Sequence, residues 1–293
     1  MFNTLVLSGG SIKGFATLGA LQYFSMTSSL DRITKFYGTS IGAVLCCLLA
    51  CGYSPKEIFT HFFENDIDVS SQDVIENVPK LFLNYGMLDF SVFSKHIKSL
   101  ILDKFRSIPT FKKLKILTNK SLFVTSVNLT TNEVVYFSAD THPDMDILQA
   151  VEMSCNVPLF FTKRIYNGDY YIDGAFGDHI PCKGIDFNKE KVLCIVTKQK
   201  KSTTATLSSY FHNIFLLPIT MNSQKTLKYL KNQKVTLVDI RVNDVNGMND
   251  ISVDVDMSGV HAKITAAQKQ HLFEVGYKTA ASEIEKSLTN QQK

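Results

Sequence analysis

The chain has 293 residues, 45% hydrophobic and 20% charged, with 21 Phe and 11 Tyr. That length and apolar content exclude a disordered chain and allow one large or two modest domains with a sizeable core. A net charge of +4 is too small for a nucleic-acid footprint, and it permits attraction to anionic lipid without demanding it.

Along the chain, Thr4 to Leu7 is a short apolar run that meets Ser8-Gly9-Gly10. Phe15, Leu18, Gly19, Leu21 and Gln22 then continue at helical spacing, which predicts strand, glycine loop, helix. Ile33 to Tyr37 repeats the pattern: it enters Gly38-Thr39-Ser40-Ile41-Gly42 and an apolar helix ending near Cys51-Gly52. No basic n-region precedes the first apolar run, so no secretory signal is read. The longest near-continuous apolar stretch, Ile41 to Cys51, is too short to cross a bilayer as a helix. Cysteines 46, 47, 51, 155, 182 and 194 show no Cys-x-x-Cys spacing, which argues against a zinc site or a disulfide framework. A reducing compartment, most simply the cytoplasm, is expected.

From Pro55 to about Phe105 the sequence is helical and rich in bulky residues, among them Phe59, Phe62, Phe63, Leu81, Phe82, Leu83, Tyr85, Met87, Leu88, Phe90 and Phe93. Their spacing fits inward core faces first, with a lid or lipid-facing surface as the alternative. Leu122 to Val127 and Val134 to Phe137 predict two strands around a polar turn, and Ile147 to Met153 a helix. Tyr170 to Ile172 reads as a strand end running into Asp173-Gly174-Ala175, and Val192 to Val196 as a buried strand. The run Lys198 to Lys201 is expected to be a solvated loop. Val235 to Val242 predicts another strand, and Thr265-Ala266-Ala267-Gln268 has the form of a capping box opening a last helix through Glu285. The alternation predicts an α/β fold with a central, mostly parallel sheet between helices. One domain over 1–293 is expected, with the motifs in about 3–187 and residues 188–293 completing the sheet and ending in a helix.

Three pieces carry chemistry. Gly38 to Gly42 is a Gly-x-Ser-x-Gly between strand and helix, the context a nucleophile elbow needs: a sharp turn exposes the Ser40 hydroxyl and a helix N-terminus faces it. A plain strand-to-helix turn with Ser40 as N-cap is the alternative. Ser8 to Gly14 offers successive backbone N–H groups at a second helix N-terminus. It fails as a P-loop, because Lys13 precedes the final glycine, and as a dinucleotide fingerprint, because Ser11 holds the middle position. An oxyanion hole fits better. Asp173-Gly174 places a carboxylate at a strand end, although Asp-Gly is also a common turn.

Together these pieces resemble the patatin-like phospholipase family. Gly9 to Gly14 is similar to its glycine-rich oxyanion segment, Gly38 to Gly42 to its elbow, and Asp173-Gly174-Ala175 to its Asp-Gly-Gly/Ala element. The Gly86 to Asp89 turn, Thr125 to Thr130, Met153 to Pro158 and Tyr171 to Pro181 also look like family segments in the expected order. The resemblance implies a three-layer patatin-like fold and a Ser40–Asp173 dyad without a catalytic histidine. Ser40 is the implied nucleophile and Asp173 the base, with an oxyanion hole at Gly9, Gly10, Ser11 and Ile12 and with Gly38, Gly42 and Gly174 as support. The implied reaction is calcium-independent hydrolysis of acyl esters of glycerophospholipids or related lipids, by peripheral contact with a membrane. No metal, cofactor or nucleic acid is implied. Acyl transfer, general esterase activity and lipid binding with weak turnover are the alternatives. Two departures stand out: Ser11 replaces a third consecutive glycine, and His179 stands where the family commonly has asparagine. His179 is expected to be a packed loop histidine, and Lys13 either a solvated cation or an attractor of lipid phosphate.

Overall fold

A computed structural model describes residues 1–65, 83–198, 207–242, 254–256, 259–261 and 264–291. β1 (Thr4–Leu7) and β2 (Lys35–Thr39) are parallel neighbours, with Leu7 opposite Gly38. β1 passes through a 3-10 turn, Ser11–Lys13, into α1 (Gly14–Met26), and β2 turns at Ser40 into α2 (Ile41–Ala50). Both glycine turns therefore leave the same carboxyl edge of the sheet. The elbow glycine Gly38 and Thr39 still belong to β2, which starts and ends two residues later than the apolar run suggests. Register with β1 on one side and with the strand at Ser121–Asn128 on the other sets those ends, and neither partner is visible locally.

The chain continues through α3 (Pro55–Glu64), β3 (Gly86–Leu88), α4 (Ser91–Lys104) and α5 (Phe111–Thr118). Next come β4 (Ser121–Asn128), β5 (Glu133–Phe137), α6 (Ile147–Ser154), β6 (Leu159–Phe161), β7 (Arg164–Tyr166) and β8 (Asp169–Asp173). β9 (Val192–Lys198), α7 (Leu207–Leu230), β10 (Val235–Arg241), a short β11–β12 hairpin (Asp254–Asp256, Gly259–His261) and α8 (Ala266–Gln291) follow. The predicted capping box opens α8: Gln268 N–H donates to Thr265 Oγ1 at 3.2 Å, and Thr265 N–H to Gln268 Oε1 at 2.8 Å.

One correction concerns Gly86 to Asp89, expected as a turn. Residues Gly86–Leu88 form β3, paired in parallel with β6 through Gly86↔Leu159 and Leu88↔Phe161. The partner lies some seventy residues away in the chain, so local composition does not report it. Of the bulky residues in this region, Phe90 is buried, while Phe59, Phe62, Leu88 and Phe93 pack on the core and Leu83 and Tyr85 are exposed. Leu81 and Phe82 lie outside the described residues, as do the side chain of Met87 and residues 199–201 of the lysine run.

Among the described residues the main sheet has eight strands. β10, β9, β1, β2 and β4 run parallel in that order, and β5, β8 and β7 add antiparallel pairs. Leu5, Leu7, Phe36, Val124 and Ile195 face one side, toward α1, α2 and α8. Val6, Tyr37, Cys194 and Val196 face the other, toward Leu227 and Leu230 of α7 and the Ile180–Phe187 segment. This alternation is the period-two pattern of strands buried on both faces, and it gives a three-layer α/β fold. α2 is apolar all round because it is buried from Gly42 to Ala50.

The registers of β4 position the site. Thr125 pairs with Thr39 of β2 on one edge and with Tyr136 of β5 on the other, while Ser126 pairs with Asp173 of β8 and Val135 of β5. Because β5 occupies one edge throughout, β2 and β8 share the opposite edge. β2 runs parallel to β4 and β8 antiparallel, so their carboxyl ends meet head to head at consecutive residues of β4. Strand rise is about 3.3 Å per residue, so the residues leaving those two ends are forced together.

Candidate active site

Ser40 takes the left-handed torsions φ 54°, ψ −127°, an uncommon state for a residue with a Cβ. Although it occupies the N-cap position of α2, its side chain makes no capping bond. The hydroxyl donates instead to Asp173 Oδ2 at 2.6 Å. The Ser40 side chain therefore does not serve as a helix cap. Two close approaches fix the elbow: a Cβ on Gly38 would collide with the Gly42 carbonyl and Ala43, and a Cβ on Gly42 with the carbonyls of Leu7 and Ser8. The first joins strand to helix within the elbow. The second clamps α2 against the end of β1, so the two turns are held as one unit.

Asp173 is 2% exposed, at the end of β8. Its backbone N–H donates to the Asn156 carbonyl at 2.8 Å, and its Oδ1 accepts from Ala175 N–H at 2.8 Å, which leaves Oδ2 for Ser40. Burial raises its pKa from 3.8 to about 6, against the opposing pull of the hydrogen bonds from Ser40 and Ala175. A carboxylate with a pKa this close to neutrality is a far better proton acceptor than a free aspartate. Gly174 follows with its Cα against the Thr125 carbonyl, where a side chain would not fit.

The loop from Gly9 to Ile12 leaves β1 beside the elbow. The Gly9 carbonyl accepts from Ser8 Oγ at 2.9 Å and from Thr197 Oγ1 at 3.0 Å. Two hydroxyls thus hold that carbonyl toward β9, and in a trans peptide the Gly10 N–H points the opposite way. The N–H groups of Gly10, Ser11 and Ile12 stand at the start of a helix, where no preceding turn supplies acceptors. Ser11 has φ 50°, so it adopts the left-handed torsion that a glycine takes without strain. Its side chain is exposed and Gly9 is buried.

His179 is not among the hydrogen-bond partners of Ser40 or Asp173. It is 8% exposed, and its carbonyl accepts from Gly9 N–H at 3.2 Å. Burial first, and the positive charge of Lys13 second, lower its pKa to about 4, so the ring is neutral at physiological pH. It props the glycine loop, as a packed loop histidine would. Burial also lowers the Lys13 ammonium to about 8.

Three contributors are not assigned by the sequence reading. Ser154, fully buried at the end of α6, accepts the Ser40 N–H at 2.9 Å and so anchors the strained residue itself. Thr197 braces the glycine loop from β9, donating its own hydroxyl and, through its N–H, a 3.0 Å bond to Ser8 Oγ. Asn156 holds the backbone of Asp173 and donates Nδ2–H to the Tyr171 carbonyl at 2.8 Å. Ser154 and Asn156 lie in the Met153 to Pro158 segment, whose order along the chain is the available signal. Thr197 carries none. All six cysteines are free thiols, and burial together with nearby Asp173 holds that of Cys155 well above its usual range.

A mostly parallel sheet between helix layers, with a hydroxyl and a carboxyl paired at its carboxyl edge, defines a protein of the patatin-like α/β class. The chain belongs to the patatin-like phospholipase family, whose description Patatin-like phospholipase matches residues 5–185. It is 33% identical over 226 residues to probable lipid hydrolase 463L of Invertebrate iridescent virus 6, covering 73% of each chain. It is also 28% identical over 300 residues to protein R571 of Acanthamoeba polyphaga mimivirus, covering 98% of this chain and 95% of that one. Among solved structures, VipD from Legionella pneumophila aligns with a TM-score of 0.56 at 18% identity, over 97% of this chain and 67% of that one; this likeness concerns the fold.

Proposed function

We infer that the chain is a lipid acyl hydrolase working through a Ser40–Asp173 dyad and an acyl-enzyme. The observation that carries this reading is the 2.6 Å hydrogen bond from a strained, half-buried serine to a buried carboxylate whose pKa is raised to about 6. Ser40 Oγ attacks the ester carbonyl carbon while its proton passes to Asp173 Oδ2. Negative charge on the carbonyl oxygen is received by the N–H groups of Gly10, Ser11 and Ile12, preorganised by Thr197 and His179, whereas the Gly9 N–H, expected to join them, is already donated to the His179 carbonyl. Asp173 returns the proton to the departing alcohol oxygen, leaving Ser40 acylated. Water then attacks the acyl carbon and gives its proton to Asp173, the serine leaves with that proton, and the fatty acid is released.

The proposed steps draw on protein groups and water alone, and the reading includes turnover without calcium. Among the described residues no helix is long and apolar enough to cross a membrane, and the proposed encounter with lipid is peripheral. The test is release of labelled fatty acid from phospholipid vesicles with EDTA present, by the wild type, Ser40→Ala and Asp173→Asn. Loss in both variants, with fluorophosphonate labelling of the wild type and not of Ser40→Ala, supports the dyad. Undiminished release by either variant overturns it. Acyl transfer to an added alcohol at the expense of hydrolysis would assign the same dyad to an acyltransferase.

A further inference from the structure

α7 has an inner and an outer face of different character. Its inner face rides on the segment that follows Asp173: Phe215 packs edge-on against Phe176 with centroids 5.0 Å apart, and Asn222 Nδ2 donates to the Gly177 carbonyl at 2.7 Å. Farther along, Leu227 and Leu230 enter the second core. On the outer face, Ile214, Leu217 and Met221 are 49%, 53% and 62% exposed. Their spacing of three and four residues continues that of Tyr210 and makes one stripe along the helix. The same stripe then passes to Lys225 and Lys228, both exposed.

The charge pattern of the sequence through this helix is one-sided. From Leu207 to Gln224 there is no Asp, Glu, Lys or Arg, and from Lys191 to Val238 the sequence holds eight lysines and no acidic residue. An apolar stripe running into cations, with no carboxylate along the helix, complements an interface of acyl chains under anionic headgroups. A second copy of the helix complements it poorly, since it offers the lysines no counter-charge.

We propose that the outer face of α7 is the membrane-docking surface of this protein: Ile214, Leu217 and Met221 enter the headgroup–acyl boundary of an anionic bilayer and Lys225 and Lys228 engage its phosphates. The choice of lipid as occupant rests on the lipid-hydrolase reading above. Docking there brings the bilayer onto the helix that rests against the Gly174–Gly177 segment, beside the dyad.

The chain contains no tryptophan, so a single introduced one reports insertion cleanly. Leu217→Trp in a Ser40→Ala background is mixed with vesicles of phosphatidylcholine, with or without about one third phosphatidylserine. Ile116→Trp, at an exposed position on α5, serves as control. The proposal expects a blue shift and quenching by brominated acyl chains for Leu217→Trp with anionic vesicles, and neither for Ile116→Trp. In co-sedimentation, Ile214→Ser with Leu217→Ser weakens binding at least tenfold. Lys225→Gln and Lys228→Gln each weaken it about fivefold. With Ser40 intact, these serine and glutamine variants hydrolyse a soluble short-chain ester at the wild-type level, which also reports that they are folded.

Unchanged emission from Leu217→Trp, or undiminished vesicle binding by the serine double variant, overturns the proposal. A halved solution mass in that variant with vesicle binding retained assigns the stripe to a second copy of the chain and overturns it equally. A wild type without esterase activity, together with insertion of the indole in Leu217→Trp, would fail the dyad and leave the docking surface standing.

Discussion

Burial of Asp173 makes a stability prediction opposite in sign to that for most point substitutions. An aspartate whose pKa rises from 3.8 to about 6 on folding binds more protons in the folded than in the unfolded state between those values. Stability therefore falls as pH rises through that window, and the full cost is present above about pH 6. The interval corresponds to about 3 kcal/mol at 1.36 kcal/mol per pH unit, an order-of-magnitude figure undiluted by solvent because the group is 2% exposed. Asp173→Asn removes the buried charge, keeps an oxygen for Ala175 N–H and keeps the side chain's shape. At pH 8 this variant should be the more stable protein by up to about 3 kcal/mol, and near pH 4 the advantage should shrink below about 1 kcal/mol. Urea unfolding followed by far-ultraviolet circular dichroism at both pH values measures the double difference, in which every other titrating group cancels. Asp173→Asn less stable than wild type at pH 8, or an advantage that does not change with pH, would refute the reasoning.

On the proposed mechanism the same titration governs turnover: kcat/KM should rise with pH through about 6 as Asp173 ionises, and a profile flat between pH 5 and 8 would remove it as the base. Ser154→Ala leaves the Ser40 N–H without its buried acceptor, which should cost about 1–3 kcal/mol of stability in a thermal melt and lower kcat more than it raises KM. Ser11→Gly relieves a left-handed torsion worth about 1–2 kcal/mol but adds about 0.5–1 kcal/mol of unfolded-state entropy, so a net gain between about 0 and 1.5 kcal/mol is expected, with activity retained. Complete loss of ester hydrolysis in that variant would show that the loop needs the serine side chain.

What is legible in the sequence is what is encoded within a few residues. The Gly-x-Ser-x-Gly turn, the glycine loop and Asp-Gly are short because each is a single backbone manoeuvre, and the close approaches at Gly38 and Gly42 explain why small residues sit there. The strand pair 121–128 and 133–137 and the capping box at Thr265 are equally local. The β3 strand reads as a turn because its partner β6 is remote and Gly86 alone looks like a breaker. Thr197 is invisible for the same reason: its hydroxyl acts on Gly9 across 188 residues of sequence. Nor does any local pattern report that β2 and β8 share one edge of β4, although that register is what joins the serine to the aspartate.

That shared edge also orders events on the ribosome. A nascent chain that has emerged through β4 owns its elbow and its serine, but the neighbouring slot at Ser126 stays vacant until residues 169–173 arrive to fill it. The brace at Thr197 comes later still, when β9 slides in beside β1. On the proposed dyad chemistry, a growing polypeptide has no ester-cleaving pair until residue 173 is in place, and a chain truncated before it carries a serine with no carboxylate to take its proton.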